Sequence, residues 1–377
     1  MRPFALPRRI AFSLFLLPMA LSCRDPEKGA GAKPEETGGG TDSSVDSGGG
    51  DTETGDTAEI IDTGGIPWTE EPCDIPLPSF LELWVHTSTD GLVWSLPTHV
   101  QGDTSVPEFF ADPAIDGGTP WMMWMDFEDR SDRCDQMVFS PFDPVTSTAT
   151  DIKKTTIAGA PPLTLLSAGY RHPIADPELI VIGGRVVVIN TIWPDGERFP
   201  CMGVAVNREK GTMGKGVFDF QSQLLFCDAE GQQPQTDPVA IWVPDDPTDA
   251  NSPGVIRVWA CSPNGMMGNF VDNTEWIISV PDPTKPSTWA TDRVQPSTLT
   301  SVHALGTILQ VDQEGCKYAF WGTLQPWVSH LCTSDFKTWS LVGTPDPYTA
   351  DPVVVKSNDV WYMYVTRDEN YTGTAPH

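Results

Sequence analysis

From about Trp68 onwards the chain alternates short apolar runs with Gly, Pro, Asp and Asn residues. The runs have the length of β-strands, some alternate apolar with polar residues and others are continuously apolar, and the residues between them are typical of turns. No long stretch repeats apolar residues every 3.6 positions, as an amphipathic helix would. The pattern therefore predicts an all-β domain over residues 68–377.

One pattern recurs within this domain: Asp-Pro, an apolar strand, a short turn and a second apolar strand. It is visible in "HPIADPELIVIGGRVVVIN" and again in "YTADPVVVKSNDVWYMYVT". A series of five positions fits the pattern, with His replacing Asp at one of them: Asp112, Asp176, Asp237, His303 and Asp351. Five such repeats, each able to hold four antiparallel strands, predict a five-bladed β-propeller.

A second motif, [Ser/Thr]-x-Asp-x-x-x-Trp, indicates how the ring closes. It occurs at Ser88–Trp94 and at Thr333–Trp339, and each copy is expected to form a tight turn before the outermost strand of a blade. The residues after Asp351 suffice for two inner strands, whereas "LELWVHTSTDGLVWS" near the N-terminus supplies two outer strands. We therefore expect the last blade to be closed by N- and C-terminal strands.

The N-terminal residues have the pattern of an export signal. In residues 1–22, arginines precede an apolar run that is too short to span a membrane comfortably. The run ends at Ser22-Cys23, which resembles a bacterial lipoprotein signal and predicts lipidation of Cys23, with the lipid as the only membrane contact. Ordinary cleavage, which would release the protein, is the alternative. Residues 23–67 are acidic and rich in Gly, Thr and Asp, and they are predicted to form a disordered tether.

Charge and cysteine content narrow the possible partners. The net charge of −28 argues against nucleic acid, because phosphate binding requires a basic surface. A neutral or cationic partner fits better. We expect the partner to be a carbohydrate polymer or oligosaccharide, and the protein to be a monomer. Export permits disulfides, and Cys316 and Cys332 are predicted to pair because they lie on runs that should form a hairpin.

The recurring Asp residues suggest acid–base chemistry. The first strand of each propeller blade lines the central axis, so residues at the starts of these strands converge at one end. Carboxylates gathered there repel one another, and either a pKa must rise or a cation must offset the charge. A protonated carboxyl beside an ionised one is the acid and base pair of glycoside hydrolysis. The alternative for each Asp taken alone is that it only caps a turn.

The repeats resemble those of five-bladed propeller glycosidases, the glycoside hydrolase family 43 group of arabinanases, arabinofuranosidases and β-xylosidases, with the blades circularly permuted. "TADPVVVKSNDVWYMYVT" resembles the blade that carries the catalytic base, and "HPIADPELIVIGGRVVVINTIW" the blade that carries the pKa-modulating Asp. "VHALGTILQVDQEGCKYAFW" resembles the blade whose His helps to hold a central cation or water. The resemblance implies that Asp351 is the base, Asp176 the modulator and His303 the central His, with calcium as the cation that could be held.

The chain departs from this family at the acid. The family has Glu where this chain has Thr236, so either Asp237 serves as the acid, or Glu178 reaches in, or the protein does not hydrolyse. An unpermuted order would instead make Asp112 the base, Asp176 the modulator and Asp237 the acid. Three residues are further candidates for contacts with the sugar: Asp112, Glu178 and His172.

Two functions therefore stand at this point. The first is an exported glycoside hydrolase-like propeller that acts on neutral pentose-containing polysaccharide by carboxylate acid–base hydrolysis. The second is a propeller that binds glycans or proteins without catalysis. Fold analogy alone does not choose between them.

Overall fold

Antiparallel β-strands make up nearly all of the regular structure in a computed structural model of the chain. It describes residues 81–126, 136–162, 174–195, 197, 199–227, 235–261, 274–296, 298–299, 306–324, 327–347 and 350–368. The predicted signal peptide and tether lie outside the described residues, as do Cys23, His172 and His303. Within the described part we find no apolar helix of membrane-spanning length.

The strands form five sheets, which are the blades of the propeller. Blade I holds β3 (Thr104–Phe110), β4 (Trp121–Asp126), β5 (Gln136–Asp143) and the short strands β6 (Thr148–Ala149) and β7 (Lys153–Lys154). Blade II holds β9 (Ile174–Ile182), β10 (Arg185–Ile192), β11 (Cys201–Asn207) and β12 (Val217–Phe226), with β8 (Thr156–Ala158) along its outer edge. Blade III holds β13 (Thr236–Pro244), β14 (Gly254–Cys261), β15 (Thr274–Val280) and β16 (Ala290–Pro296).

The remaining two blades complete the ring. Blade IV holds β17 (Gly306–Gln313), β18 (Cys316–Leu324), β19 (Trp327–Thr333) and β20 (Ser340–Pro347). Blade V holds β21 (Ala350–Ser357), β22 (Val360–Asp368), β1 (Leu81–Ser88) and β2 (Thr98–Gly102), in that order from the inside out. The five innermost strands, β3, β9, β13, β17 and β21, contact one another in a closed circle. The five-bladed propeller that the sequence predicted is therefore confirmed.

Blade V joins the two ends of the folded region, as predicted. Strand β22 pairs with β21 on one side and with β1 on the other. The β1–β22 pairing is continuous over the whole of β1, from Leu81 opposite Asp368 to Ser88 opposite Trp361. This pairing links a strand at the start of the propeller directly to one at its end, so the ring is closed by backbone hydrogen bonds.

The two [Ser/Thr]-x-Asp-x-x-x-Trp motifs form the expected turns before an outermost strand. In blade V, Oδ1 of Asp90 accepts hydrogen bonds from the backbone N–H groups of Leu92 (2.8 Å) and Val93 (2.9 Å). In blade IV, Oδ1 of Asp335 accepts the corresponding bonds from the two residues that follow Phe336. The motif is thus a turn built by an Asp side chain, and it carries no chemistry of its own.

The core lies between the blades. Five clusters of buried apolar side chains fill the five junctions between neighbouring blades, including the junction between blades V and I. Most strands are therefore buried on both faces, and residues 186–189 of β10 have no exposed surface at all. This explains why many strands read as continuous apolar runs and not as strict alternation.

Two disulfides join neighbouring strands in the described part of the chain. The predicted pair, Cys316 and Cys332, is confirmed, with its Cα atoms 5.2 Å apart. A second disulfide, which the sequence analysis did not predict, joins Cys201 at the start of β11 to Cys227 just after β12.

Candidate active site

Asp176, Asp237 and Asp351 occupy equivalent positions at the starts of β9, β13 and β21. Each has a left-handed backbone, with φ of 50°, 54° and 53°, and each precedes Pro. At each of them the pairing with the next strand shifts register, as in a β-bulge. Asp tolerates a left-handed conformation better than most residues, and bulges redirect a side chain out of the sheet. We call this left-handed residue before Pro the axial position of a blade.

The axial position of blade I is Val106, not Asp112. Val106 has φ of 48°, precedes Pro and lies at the corresponding register shift between β3 and β4. Its N–H donates to Oγ1 of Thr366 at 3.1 Å, just as the N–H of Asp237 donates to Oγ1 of Thr191 at 3.1 Å. A β-branched residue is strained in this conformation. Blade I therefore keeps the backbone geometry of an axial position although the side chain there has no carboxyl.

The predicted placement of Asp112 is therefore corrected. It follows the end of β3 and does not begin an inner strand, so it lies at the far end of that strand from Val106. Its Oδ1 accepts the N–H of Ala114 at 2.7 Å, and its carbonyl accepts the N–H of Ile115. Asp112 caps a turn, which is the other common use of an Asp-Pro pair.

Blade IV contributes a hydroxyl from its innermost strand, β17. Oγ1 of Thr307 donates to the carbonyl of Pro352 at 3.0 Å and accepts the N–H of Val354 at 3.2 Å. These bonds tie blade IV to blade V beside Asp351. The sequence predicts His303 at the position of blade IV that corresponds to the Asp of the other repeats. His303 lies outside the described residues.

The structure brings Asp176, Asp237 and Asp351 into one axial cluster. Asp176 is half-buried, whereas Asp237 and Asp351 are only 2% and 9% exposed. Oγ1 of Thr236 donates to Oδ2 of Asp237 at 2.9 Å. The side chains of Thr191 and Asp237 hydrogen-bond Asp176, yet burial outweighs them and raises the pKa of Asp176.

Asp351 has a pKa suited to acid–base chemistry near neutrality. Burial and the negative charge of Asp176 raise the pKa of Asp351 to about 7, although a hydrogen bond with the side chain of Thr366 opposes the rise. A group with such a pKa exchanges its proton in the neutral range, as a catalytic acid or base should.

A second pair of carboxyls, Glu108 and Glu178, lies beside this cluster. They come from neighbouring blades, and each is two residues beyond its blade's axial position. Both are buried, at 7% and 4% exposure, and their side chains hydrogen-bond each other. Burial raises the pKa of both well above the usual range.

Sequence reasoning found Glu178 but missed Glu108. The signal was present, because "SVPEFF" and "IADPEL" both place Pro-Glu directly after the axial residue. The recurring motif has Asp before Pro, and in blade I this dipeptide occurs at Asp112, six residues after the axial position. Pro-Glu at the start of an apolar strand is the sequence signal that both glutamates share.

The central cation predicted from His303 stays a prediction. Among the described residues, the central carboxyl groups do not bring three ligand atoms within 4.8 Å of one another, so they do not by themselves form a calcium cage. The group that does meet this distance is Glu197, Cys201 and Cys227, and its two sulfur atoms are joined in a disulfide.

If His303 does hold a cation at the axis, chelation should destabilise the protein, because a ligand that binds only the folded state stabilises it. We expect the melting temperature to fall on addition of EDTA and to recover when calcium is restored. His303→Ala serves as the control and should be insensitive to EDTA. A melting temperature that EDTA leaves unchanged in the wild type would contradict the prediction.

Comparisons with known proteins yield distant structural likenesses. No protein-family model matches the chain, and no curated protein sequence matches it. The α-L-arabinanase of Penicillium chrysogenum, solved with arabinobiose, is 12% identical with a TM-score of 0.48, over 79% of this chain and 96% of the arabinanase. The GH43_1 enzyme of Xanthomonas citri, solved with xylose, is 10% identical with a TM-score of 0.45, over 69% and 80% of the two chains.

An exo-β-1,3-galactanase of Phanerochaete chrysosporium, solved with galactose, is 11% identical with a TM-score of 0.41, over 70% of this chain. The chain spans about 60% of the length of that galactanase. Likenesses this distant do not indicate what the chain acts on. The five-bladed propeller is established by the strand pairing of the chain itself.

Proposed function

We propose that this protein is an exported glycoside hydrolase-like propeller that acts on a neutral, pentose-containing polysaccharide. The observation that carries the proposal is the axial cluster of Asp176, Asp237 and Asp351. Three blades place these carboxyls together at the end of the propeller where their innermost strands begin. Closely spaced carboxyls with unequal tendencies to ionise are what acid–base hydrolysis of a glycosidic bond requires.

In this proposal Asp351 is the general base. It accepts a proton from the water that attacks the anomeric carbon, and Asp176 keeps its pKa high enough to hold that proton during the reaction. The acid is the role that the sequence left open between Asp237 and Glu178. Hydrolysis with inversion needs both groups to face the same bond from opposite sides.

The neutral character of the substrate follows from the charge of the site. Five carboxyls lie at or near the axis, and the whole chain has a net charge of −28. An anionic sugar would meet repulsion from both, whereas a neutral pentose would not. The choice of pentose rests on the sequence resemblance described above.

Export is supported by the two disulfides in the described part of the chain. Disulfides persist in oxidising compartments and are rare in the cytosol. We therefore propose that residues 1–22 direct export and that Cys23 is lipidated at the bacterial cell envelope. Labelling with a radioactive fatty acid, with Cys23→Ser as the control, tests the lipid directly.

The function is tested by assaying the purified protein on arabinan, arabinoxylan and aryl pentosides, together with a glycan-binding screen. We expect release of reducing sugar from at least one of these substrates. Glycan binding without any hydrolysis would reject the enzyme and leave the binding propeller as the function.

A further inference from the structure

Blade I has no carboxyl at its axial position, Val106, but it has one two residues further along β3, at Glu108. Val106 contributes no charge, and the next side chain in β3 that can do so is Glu108, two residues further on. Strand β3 contacts β21 on one side and β9 on the other. Glu108 therefore lies on the strand between Asp351 of blade V and Glu178 of blade II.

The partners of Glu108 show which group of the pair holds the proton. Two buried carboxyls in hydrogen-bond contact cannot both be ionised, so the pair keeps at least one proton. Glu178 also receives a hydrogen bond from the backbone N–H of Ala240, which favours its ionised form. Glu108 is then the donor, and Glu178 is the acceptor.

The charged groups around Glu108 act in the same direction. After burial, the charge of Glu178 and the charge of Asp351 are the causes that raise the pKa of Glu108, while the N–H of Phe109 opposes them only weakly. Asp176 and Asp237, from β9 and β13, are the other carboxyls of the axial cluster, but the charges that act on Glu108 are those of Glu178 and Asp351. Neighbouring groups raise the pKa of Glu108 but lower that of Glu178, so Glu108 is the member of the pair that keeps a proton.

We propose that Glu108 is the general acid of the hydrolysis, an inference that rests on the function proposed above. The two candidates from the sequence fit this role less well. Glu178 accepts hydrogen bonds from Ala240 and Glu108. Oδ2 of Asp237 accepts the hydroxyl of Thr236, and Asp237 is the least exposed of the axial carboxyls.

The reaction balances with these two groups and one water. Water attacks the anomeric carbon and gives its proton to Asp351, the bond between that carbon and the leaving oxygen breaks, and the proton of Glu108 passes to the leaving oxygen. The site is then left with a neutral Asp351 and an ionised Glu108. After the products leave, Asp351 gives its proton to solvent and Glu108 takes a proton from solvent, which restores the starting state.

The test compares Glu108→Gln with Glu178→Gln on two substrates that carry the same sugar. One is an alkyl pentoside, whose leaving oxygen must be protonated, and the other is a dinitrophenyl pentoside, whose leaving group departs as a stable anion. We expect Glu108→Gln to lower kcat/KM on the alkyl pentoside by ~10²–10⁴-fold and to change it little on the dinitrophenyl pentoside. Glu178→Gln should show a smaller difference between the two substrates, because Glu178 donates no proton and acts on the leaving group only through the pKa of Glu108.

Several results would overturn the proposal. Equal losses on both substrates in Glu108→Gln, or a leaving-group dependence that appears in Asp237→Asn and not in Glu108→Gln, would remove Glu108 from the acid role while the hydrolase function stands. A wild-type protein that hydrolyses neither substrate would reject the proposed function itself.

A measurement without substrate tests the proton on Glu108. An acid whose pKa is raised on folding stabilises the fold at low pH, and this contribution is lost as pH rises above the unfolded value of 4.5. Urea unfolding from pH 4 to pH 9 should therefore show a steeper loss of stability in the wild type than in Glu108→Gln. Parallel curves would mean that Glu108 holds no additional proton, and the proposal would fail on that result alone.

Discussion

Asp351→Asn should lower kcat for hydrolysis by about 10²–10⁴-fold while the propeller remains folded. The amide keeps the size of the side chain but cannot accept a proton from water. Steady-state rates on the best substrate, with circular dichroism to confirm the fold, provide the measurement. A variant that retains wild-type activity would show that Asp351 is not the base.

The pH profile gives this prediction a sharper form. A base must be ionised to act, and burial together with Asp176 raises the pKa of Asp351 to about 7. The rate should therefore rise with pH through about 7. Asp176→Asn removes the neighbouring charge, so the pKa of Asp351 should fall and the rise should move to lower pH. A profile that Asp176→Asn leaves in place would contradict the proposed role of Asp176.

The stability of Asp351→Asn separates a lost base from a damaged fold. The pKa of the Asp351 carboxyl is about 7 in the folded protein, above its ordinary value of 3.8. The protonated carboxyl therefore contributes fully to folding stability below pH 3.8, and this contribution is lost as the pH rises through 7. Three pKa units correspond to an upper value on the order of 4 kcal/mol. Above pH 7 the Asn variant should therefore be more stable than the wild type, as expected when a functional charge is buried.

Most of the fold could be predicted from the sequence because the repeats carry local signals. Asp-Pro at Asp176, Asp237 and Asp351 marks three innermost strands, and the turns at Asp90 and Asp335 mark two outermost ones. The half-blades at the two ends of the domain could pair only with each other, which gave the closure of blade V. The disulfide between Cys201 and Cys227 was not predicted, because its partners lie at the start of β11 and just after the end of β12, and no motif fixes the register of these two strands.

The site was harder to predict because its carboxyls do not all occur in one motif. Asp112 precedes Pro as the axial residues do, but it lies after the end of β3, where its side chain caps a turn. Val106 has the right backbone conformation, with φ of 48°, but a side chain that no search for acids would select. The contact between Glu108 and Glu178 depends on how two blades face each other around the axis, and a sequence does not show the distance between strands of different blades.

Removal of the residues after Pro345 should unfold the propeller. This truncation deletes β21 and β22, the two inner strands of blade V, together with the last two residues of β20, and it leaves β1 without the strand β22. It also removes Tyr364 and Met363 from the two core clusters that flank this blade. Ring closure is lost together with two of the five core junctions, so we expect no cooperative thermal transition.

The matched control ends the chain after Asp368, which preserves β22 in full. This shorter truncation should melt cooperatively near the wild-type temperature, because every strand of blade V is present. Calorimetry of the two truncations separates the loss of a terminal strand pair from a general sensitivity to shortening. A cooperative wild-type melt in the chain that ends at Pro345 would show that the other four blades fold alone, and that pairing of the two termini is not needed to hold the ring together.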